Sequence, residues 1–386
     1  MGNLFDYLDW RGDVPFTVDP FNEVDNLVLS ELAYVDFSGI VPEPVHENIP
    51  AADILSAESM LPSVSIMEVC ERFWQLHTEE EVKKSGTLYR RAPMILRKLC
   101  SGARFGNMRL GGYVNQISRE RNEQMAAVTC FLDDGAVYVA FRGTDDTIVG
   151  WKEDFSFSFL DKTEGQRSAA EYLTKYFNTA EKIPLRVGGH SKGGNFSVFA
   201  AAFCTKAVRD RIQRVYSNDG PGFLREVTES DGYREILPRV KSILPEESVF
   251  GLLLENTENP LVVQSTQKGI WQHDALSWVV LRNRFQRAPG LAESSILLGK
   301  SLDAWIGGMS MEERKEFVDI VFSLLEGTGA ENVSEITGDQ FHSIHELVRA
   351  YRNMSGEEKN KLRQSIGRLI TSGINSLGEG FFPRFI

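Results

Sequence analysis

The spacing of apolar residues along this chain changes near Met125. Before that point it is helical. In VDNLVLSELAYVDF the apolar positions Leu27, Leu29, Leu32 and Ala33 recur as on a packed helix. SIMEVCERFWQLH and YRRAPMILRKLCSGARF predict two more helices, and the proline-bearing stretch from Val41 to Pro62, with weak periodicity, predicts an irregular surface segment. From Met125 the pattern turns to strands. MAAVTCFLDDGAVYVAFRG reads as two β-rich runs joined at Asp134-Gly135, a dipeptide favoured in tight hairpins because both positions tolerate positive φ. AAEYLTKYFN then reads as helix, PLRVGGHS as buried strand, SVFAAAFCTKAVRDRI as helix, and RVYSNDG, RVKSILP and PLVVQSTQ as strands. Short apolar strands alternating with helices pair in parallel and carry helices on both sheet faces, so the predicted fold class is α/β. Beyond about Phe285 the strand signals cease. SLDAWIGGMSMEERKEFVDIVFSLLEGTG, FHSIHELVRAYRNM and SGEEKNKLRQSIGRLITSGINSL are helical stretches with charged outer faces. The expected organisation is one α/β domain over residues 1–285, N-terminal helical segments included, and a helical appendix over residues 286–386.

Composition narrows the function classes. With 42% apolar and 25% charged residues the chain is of ordinary globular type, which excludes disordered and fibrous classes. A net charge of −12 repels phosphate backbones and anionic headgroups, so no nucleic-acid partner is expected. No apolar run reaches the roughly 20 residues needed to span a bilayer. The start, MGNLFDYLDWRGD, carries acidic residues where a signal peptide has a basic and then an apolar segment, and Asp6 stands where a myristoylation signal wants Ser or Thr. These features predict a cytoplasmic protein without stable membrane insertion. Four cysteines, Cys70, Cys100, Cys130 and Cys204, form no C-x-x-C pair and have no histidine at ligand spacing. They are expected to be buried thiols, and no metal or organic cofactor is implied.

One stretch carries chemistry. In RVGGHSKGGNFS the residues Gly189-His190-Ser191-Lys192-Gly193 satisfy G-x-S-x-G between a strand and a helix. There the serine sits in a strained elbow, and its flanking glycines let helix and strand approach. The plain alternative is a glycine-rich turn. A serine nucleophile needs a base and an orienting acid, in the chain order serine, acid, histidine. Of six histidines, His46 and His77 precede the strands, His190 is locked beside the serine, and His342 and His345 fall on a late helix. His273, in VVQSTQKGIWQHDALSW after the last core strand, remains as the candidate base. Two acids compete. Asp219 in VYSNDGPGF stands at the carboxyl end of a strand, where sites of open α/β folds gather, and an Asx-type turn cap is its alternative reading. Glu247 in SILPEESVFG, with Glu246 behind it, ends the next strand. For the oxyanion, Lys192 offers a backbone N–H, and Thr144 in VAFRGTDDTIVGWKEDF offers an N–H and a hydroxyl that could both face the site. Trp151 and Asp154 read as supports of that loop. Phe155, Phe157 and Phe159 alternate as on a strand, as packing or as a patch for an acyl chain.

AFRGT…GWKEDF, GGHSKGGN and QHDALSW resemble the class 3 lipases. The fuller set, with FDYLDWRGD, NEVDNLVLSELAY and NDGPGF, resembles the Mbeg-like family of bacterial lipase-type α/β-hydrolases over nearly the whole chain. The resemblance implies an α/β-hydrolase fold and a Ser-acid-His hydrolase of carboxylic esters acting on a small-molecule ester or lipid. Ser191 is then the nucleophile, His273 the base, and Thr144 and Lys192 the oxyanion hole. Class 3 lipases imply Glu247 as the acid, and the closer family implies Asp219. Lys192 replaces an apolar residue usual in lipases, and a charge there weighs against long-chain lipid. A thioesterase or peptidase using the same residues, and a non-catalytic scaffold with the helical tail as its interaction surface, are the alternative functions.

Overall fold

The computed structural model describes residues 2–45, 57–84, 91–179, 182–256, 259–333, 335, 348–349 and 351–377. One eight-stranded sheet runs in chain order. Its strands are β1 (Ser63–Ser65), β2 (Arg109–Ser118), β3 (Glu123–Phe131), β4 (Val137–Phe141), β5 (Leu185–His190), β6 (Ile212–Asn218), β7 (Val240–Pro245) and β8 (Leu261–Val263). β1 to β4 pair antiparallel and β4 to β8 pair parallel. Strands β9 (Val280–Leu281) and β10 (Arg284–Phe285) form a separate small hairpin.

Helices cover both faces. In chain order they are α1 (Leu4–Arg11), α2 (Glu23–Leu32), α3 (Ala57–Met60), α4 (Ile66–Leu76), α5 (Glu79–Lys84), α6 (Pro93–Ser101), α7 (Ile148–Ser156), α8 (Glu164–Phe177), α9 (Lys192–Phe203), α10 (Lys206–Arg209), α11 (Arg225–Thr228), α12 (Asp231–Ile236), α13 (Glu293–Gly307), α14 (Met311–Glu326) and α15 (Gly356–Leu377). The period-two alternation of β4 sorts the core. Tyr138 and Ala140 join the apolar cluster under α1, α2, α4 and α6, whereas Val137, Val139 and Phe141 join the cluster under α8, α9 and α12. A third, small cluster seats α14 on α7 through Ile148, Val318 and Phe322. The result is an α/β architecture, a mostly parallel sheet with helices on both faces and further helices beyond the last strand. No helix among the described residues is long and apolar enough to cross a membrane.

Several local expectations are corrected. The hairpin between β3 and β4 has a loop over residues 132–136 in which Gly135 takes φ 77° and Asp134 stays at negative φ, its carboxylate accepting the Ala136 N–H at 3.0 Å. The helix expected from Ser197 to Ile212 breaks after Phe203, and Ile212 already opens β6. The helix expected across SLDAWIGGMSMEERKEF breaks at Gly308–Ser310, where Ser310 and Glu313 form a capping box for α14. Phe155, Phe157 and Phe159 do not lie on a strand. Thr147 accepts the Gly150 N–H at 3.1 Å and starts α7, which runs through Phe155. Cys70, Cys130 and Cys204 are buried, but Cys100 is only half-buried and touches Cys70. His46, His342 and His345, most of FHSIHELVRAYRNM, and residues 46–56 of the irregular segment lie outside the described residues.

Candidate active site

β5 delivers its chain into Ser191, which takes φ 58° and ψ −131°, a conformation that L residues rarely hold, before α9 begins. Gly189 and Gly193 make the turn possible. A Cβ at Gly189 would stand 2.3 Å from the Gly193 carbonyl carbon, and one at Gly193 would stand 2.1 Å from the Phe141 oxygen. The Ser191 N–H donates to Asn218 O at 2.9 Å, tying the elbow to the end of β6.

From this elbow the Ser191 hydroxyl donates to His273 Nε2 at 3.0 Å, and His273 Nδ1–H donates to Asp219 Oδ2 at 2.6 Å. A carboxylate only accepts, which assigns the ring proton to Nδ1 and leaves Nε2 free to take the serine proton. Asp219 is buried and also takes a positive φ, 51°. Its other oxygen accepts from Ser248 Oγ at 2.5 Å and from Gly251 N–H at 3.2 Å, so the carboxylate is held on both sides. Phe250 and His190 flank the His273 ring at centroid distances of 4.2 and 4.6 Å. Glu247 stays out of this line. Its carboxylate accepts from Gly269 N–H at 2.5 Å and Gln272 Nε2 at 2.8 Å, inside the turn Gly269–His273 that carries the histidine.

Thr144 follows β4, but its hydroxyl donates to Asp154 Oδ2. A hydroxyl has one proton, so only the Thr144 N–H remains to face a ligand, where both donors were expected. The Lys192 N–H, first in α9, has no intrahelical acceptor. The Lys192 ammonium is turned inward and fully buried, 3.1 Å from Glu153 Oε2, 3.4 Å from Asp154 Oδ1 and 3.1 Å from Gly150 O. The charge expected to weigh against long apolar substrates is therefore neutralised inside the fold. Burial works against that ammonium, but the Asp154 and Glu153 carboxylates outweigh it and raise its pKa. Removal from water pushes Asp154 up to about 6, against the pull of Lys192 and Thr144. Glu153 also accepts the backbone N–H groups of Gln124 at 2.8 Å and Gly165 at 2.7 Å, so one carboxylate joins α7, α8, β3 and the elbow.

The sequence profile of the Mbeg1-like family matches residues 99–323, more than half of the chain. The chain belongs to the Mbeg1-like family. Two solved structures are similar to this Mbeg1-like chain. M37 lipase is 18% identical, with 46% of this chain and 64% of that one covered at a TM-score of 0.31. The lipase from Rhizopus microsporus var. chinensis is 12% identical, with 65% and 99% covered at a TM-score of 0.33. The Mbeg1-like chain thus spans under two thirds of the length of M37 lipase. No curated protein matches it.

Behind the elbow of the Mbeg1-like chain lies a polar layer that sequence reasoning missed. His190 Nε2–H donates to His273 O at 2.8 Å, which leaves Nδ1 to accept from Tyr34 OH at 3.0 Å. Glu31 on α2 places Oε1 3.6 Å from the same Nδ1, and neither Glu31 oxygen has a hydrogen-bond partner among the described residues. Burial, and then the Asp274 charge, raises Glu31 well above the usual carboxylate range; burial, and then His273, lowers His190 well below the usual imidazole range. Both shifts favour the neutral form. Asn26 Nδ2, on the same helix, donates to Asn218 Oδ1 at 2.9 Å, and Asn218 Nδ2 donates to Gly189 O at 3.0 Å. The available signal was the run of polar residues inside the apolar NEVDNLVLSEL, whose ten helical residues are all buried.

A cavity of about 270 Å³ opens against Ser191. Trp151, Phe155 and Phe157 line one side, Phe250, Leu253 and Leu254 another, and α13 and α14 the third. Phe159 packs instead in the cluster between α7 and α14. Among the described residues no group of three or more His, Cys, Asp or Glu is arranged to hold a metal ion.

Proposed function

We propose that this Mbeg1-like protein is a carboxylic-ester hydrolase of the serine type, acting through an acyl-enzyme without metal or organic cofactor. The observation that carries the reading is the hydrogen-bonded line Ser191–His273–Asp219 on a strained elbow at the mouth of an apolar cavity. His273 Nε2 takes the Ser191 proton as Oγ bonds to the acyl carbon, and Asp219 stabilises the imidazolium so formed. The N–H groups of Thr144 and Lys192 hold the oxyanion. The tetrahedral intermediate expels the alcohol oxygen, which takes its proton from His273. Water, deprotonated by the same Nε2, then attacks the acyl carbon, and the acid leaves as Ser191 recovers its proton.

A fluorophosphonate probe is expected to label Ser191. Ser191→Ala should abolish labelling and lower p-nitrophenyl ester turnover on the order of 10⁴–10⁶-fold, with the thermal melt almost unchanged because one hydroxyl is removed. Retention of more than a few per cent of activity by pure variant ends the nucleophile assignment.

A further inference from the structure

We propose that α13 and α14 wall an acyl-binding cavity of limited length, which makes esters of medium-chain carboxylic acids the substrate class and leaves the alcohol side of the site open. This rests on the ester-hydrolase reading above. Sidedness comes first. The leaving oxygen must lie by His273 Nε2, which protonates it; Phe250 and Ile270 beside the histidine line one edge of the cavity, but its bulk lies on the oxyanion side, against Lys192, Asp154 and side chains of α7, α13 and α14. The cavity therefore takes the acyl chain. His273 keeps 16% of its side chain exposed, and Trp271 beside it is 67% exposed, so the alcohol departs toward solvent through a surface that imposes little size limit.

Length comes second. At about 30 Å³ per water-sized group, a cavity of about 270 Å³ holds about nine such groups, a chain of roughly eight to ten carbons. Its lining from α13, α14 and the break between them includes Leu302, Trp305, Ile306, Met309 and Phe317. Those helices are braced. Trp305 packs edge-on against Phe317 at a 5.2 Å centroid distance and donates its indole N–H to Ser365 O at 3.0 Å. Arg314 Nη1 donates to Ser158 O at 2.6 Å and Nε to Ile306 O at 2.9 Å, locking α14 to the end of α7 and to α13. A wall held on three sides sets a limit on length in a way that a loose surface groove does not.

The test uses the full chain, the fluorophosphonate label and p-nitrophenyl esters from acetate to dodecanoate. kcat/KM should climb by about fourfold per added methylene while the chain is being buried, then fall once the cavity is full. Trp305→Ala, which opens the far wall, should raise the dodecanoate-to-octanoate ratio about tenfold. Leu302→Trp, which fills the cavity from the neighbouring position and keeps Trp305 in its bracing contacts, should move the maximum to shorter chains. A labelled Ser191 with a profile that neither variant moves overturns this proposal and leaves the hydrolase reading standing. A Ser191 that no fluorophosphonate labels overturns both.

Discussion

Ser191 and Asp219 hold φ of 58° and 51°, where a glycine would rest easily, yet both positions need a side chain. Strain of order 1–3 kcal/mol per such residue persists only where the surroundings over-determine it, and two of the six non-glycine residues at positive φ among the described residues are members of the hydrogen-bonded line. The acid is the residue-scale choice that the sequence left open. Asp219→Asn should reduce kcat by about 10²–10⁴-fold, since it removes both the imidazole's orientation and the charge that stabilises imidazolium. Glu247→Gln keeps an oxygen to accept the Gly269 N–H and should cost less than about tenfold. Kinetics of the two purified variants decide it, and a crippled Glu247→Gln beside a tolerant Asp219→Asn transfers the role to Glu247. The glycines around Ser191 made the elbow legible. The acid was not legible because Asp219 and Glu247 both follow sheet strands, and only packing shows which carboxylate is spent on bracing the histidine turn. The inward path of the Lys192 ammonium was illegible for the same reason, because its partners Glu153 and Asp154 belong to α7.

At the scale of elements, α2 joins core to site. Its helical spacing was legible, but an amphipathic reading implies one wet face, and every residue of Glu23–Leu32 is buried. Glu31 gives this burial a measurable sign. Its folded pKa lies above the unfolded value because burial disfavours the charge, so the stability its neutral form contributes is full below the unfolded pKa and is lost as pH rises through the folded pKa. Glu31→Gln cannot ionise. The melting temperature of the variant relative to wild type should therefore rise from pH 5 to pH 8, and a constant difference across that range sinks the assignment. Two other elements escaped the sequence pattern. β2 carries Gly111-Gly112 at a register shift against β3, which interrupts its alternation. The phenylalanines at 155, 157 and 159 imitate a strand by spacing alone, while the Thr147 cap commits the segment to a helix that continues through Phe155.

Across the whole molecule, a net charge of −12 sets the field that an incoming substrate meets. A neutral p-nitrophenyl ester should show kcat/KM insensitive to salt. An anionic analogue, the p-nitrophenyl half-ester of succinic acid, should gain several-fold between about 0.01 and 0.5 M salt as the Debye length falls below the size of the molecule. A loss of rate with salt for the anionic ester points to a local cationic steering patch instead. The sequence by itself determined the alternating strands and helices, the parallel half of the sheet and the strained serine turn, because each depends on residues within a few positions of one another: the period of the apolar side chains and the space that glycine leaves. The tertiary structure alone decided which acid meets the histidine, where the Lys192 charge is neutralised, and that helices beyond the last strand wall the cavity. Those outcomes join residues 54, 39 and 156 positions apart, at Asp219 with His273, Glu153 with Lys192, and Ser158 with Arg314. No local spacing encodes such meetings, because they exist only after the sheet has brought the ends of its strands to one edge.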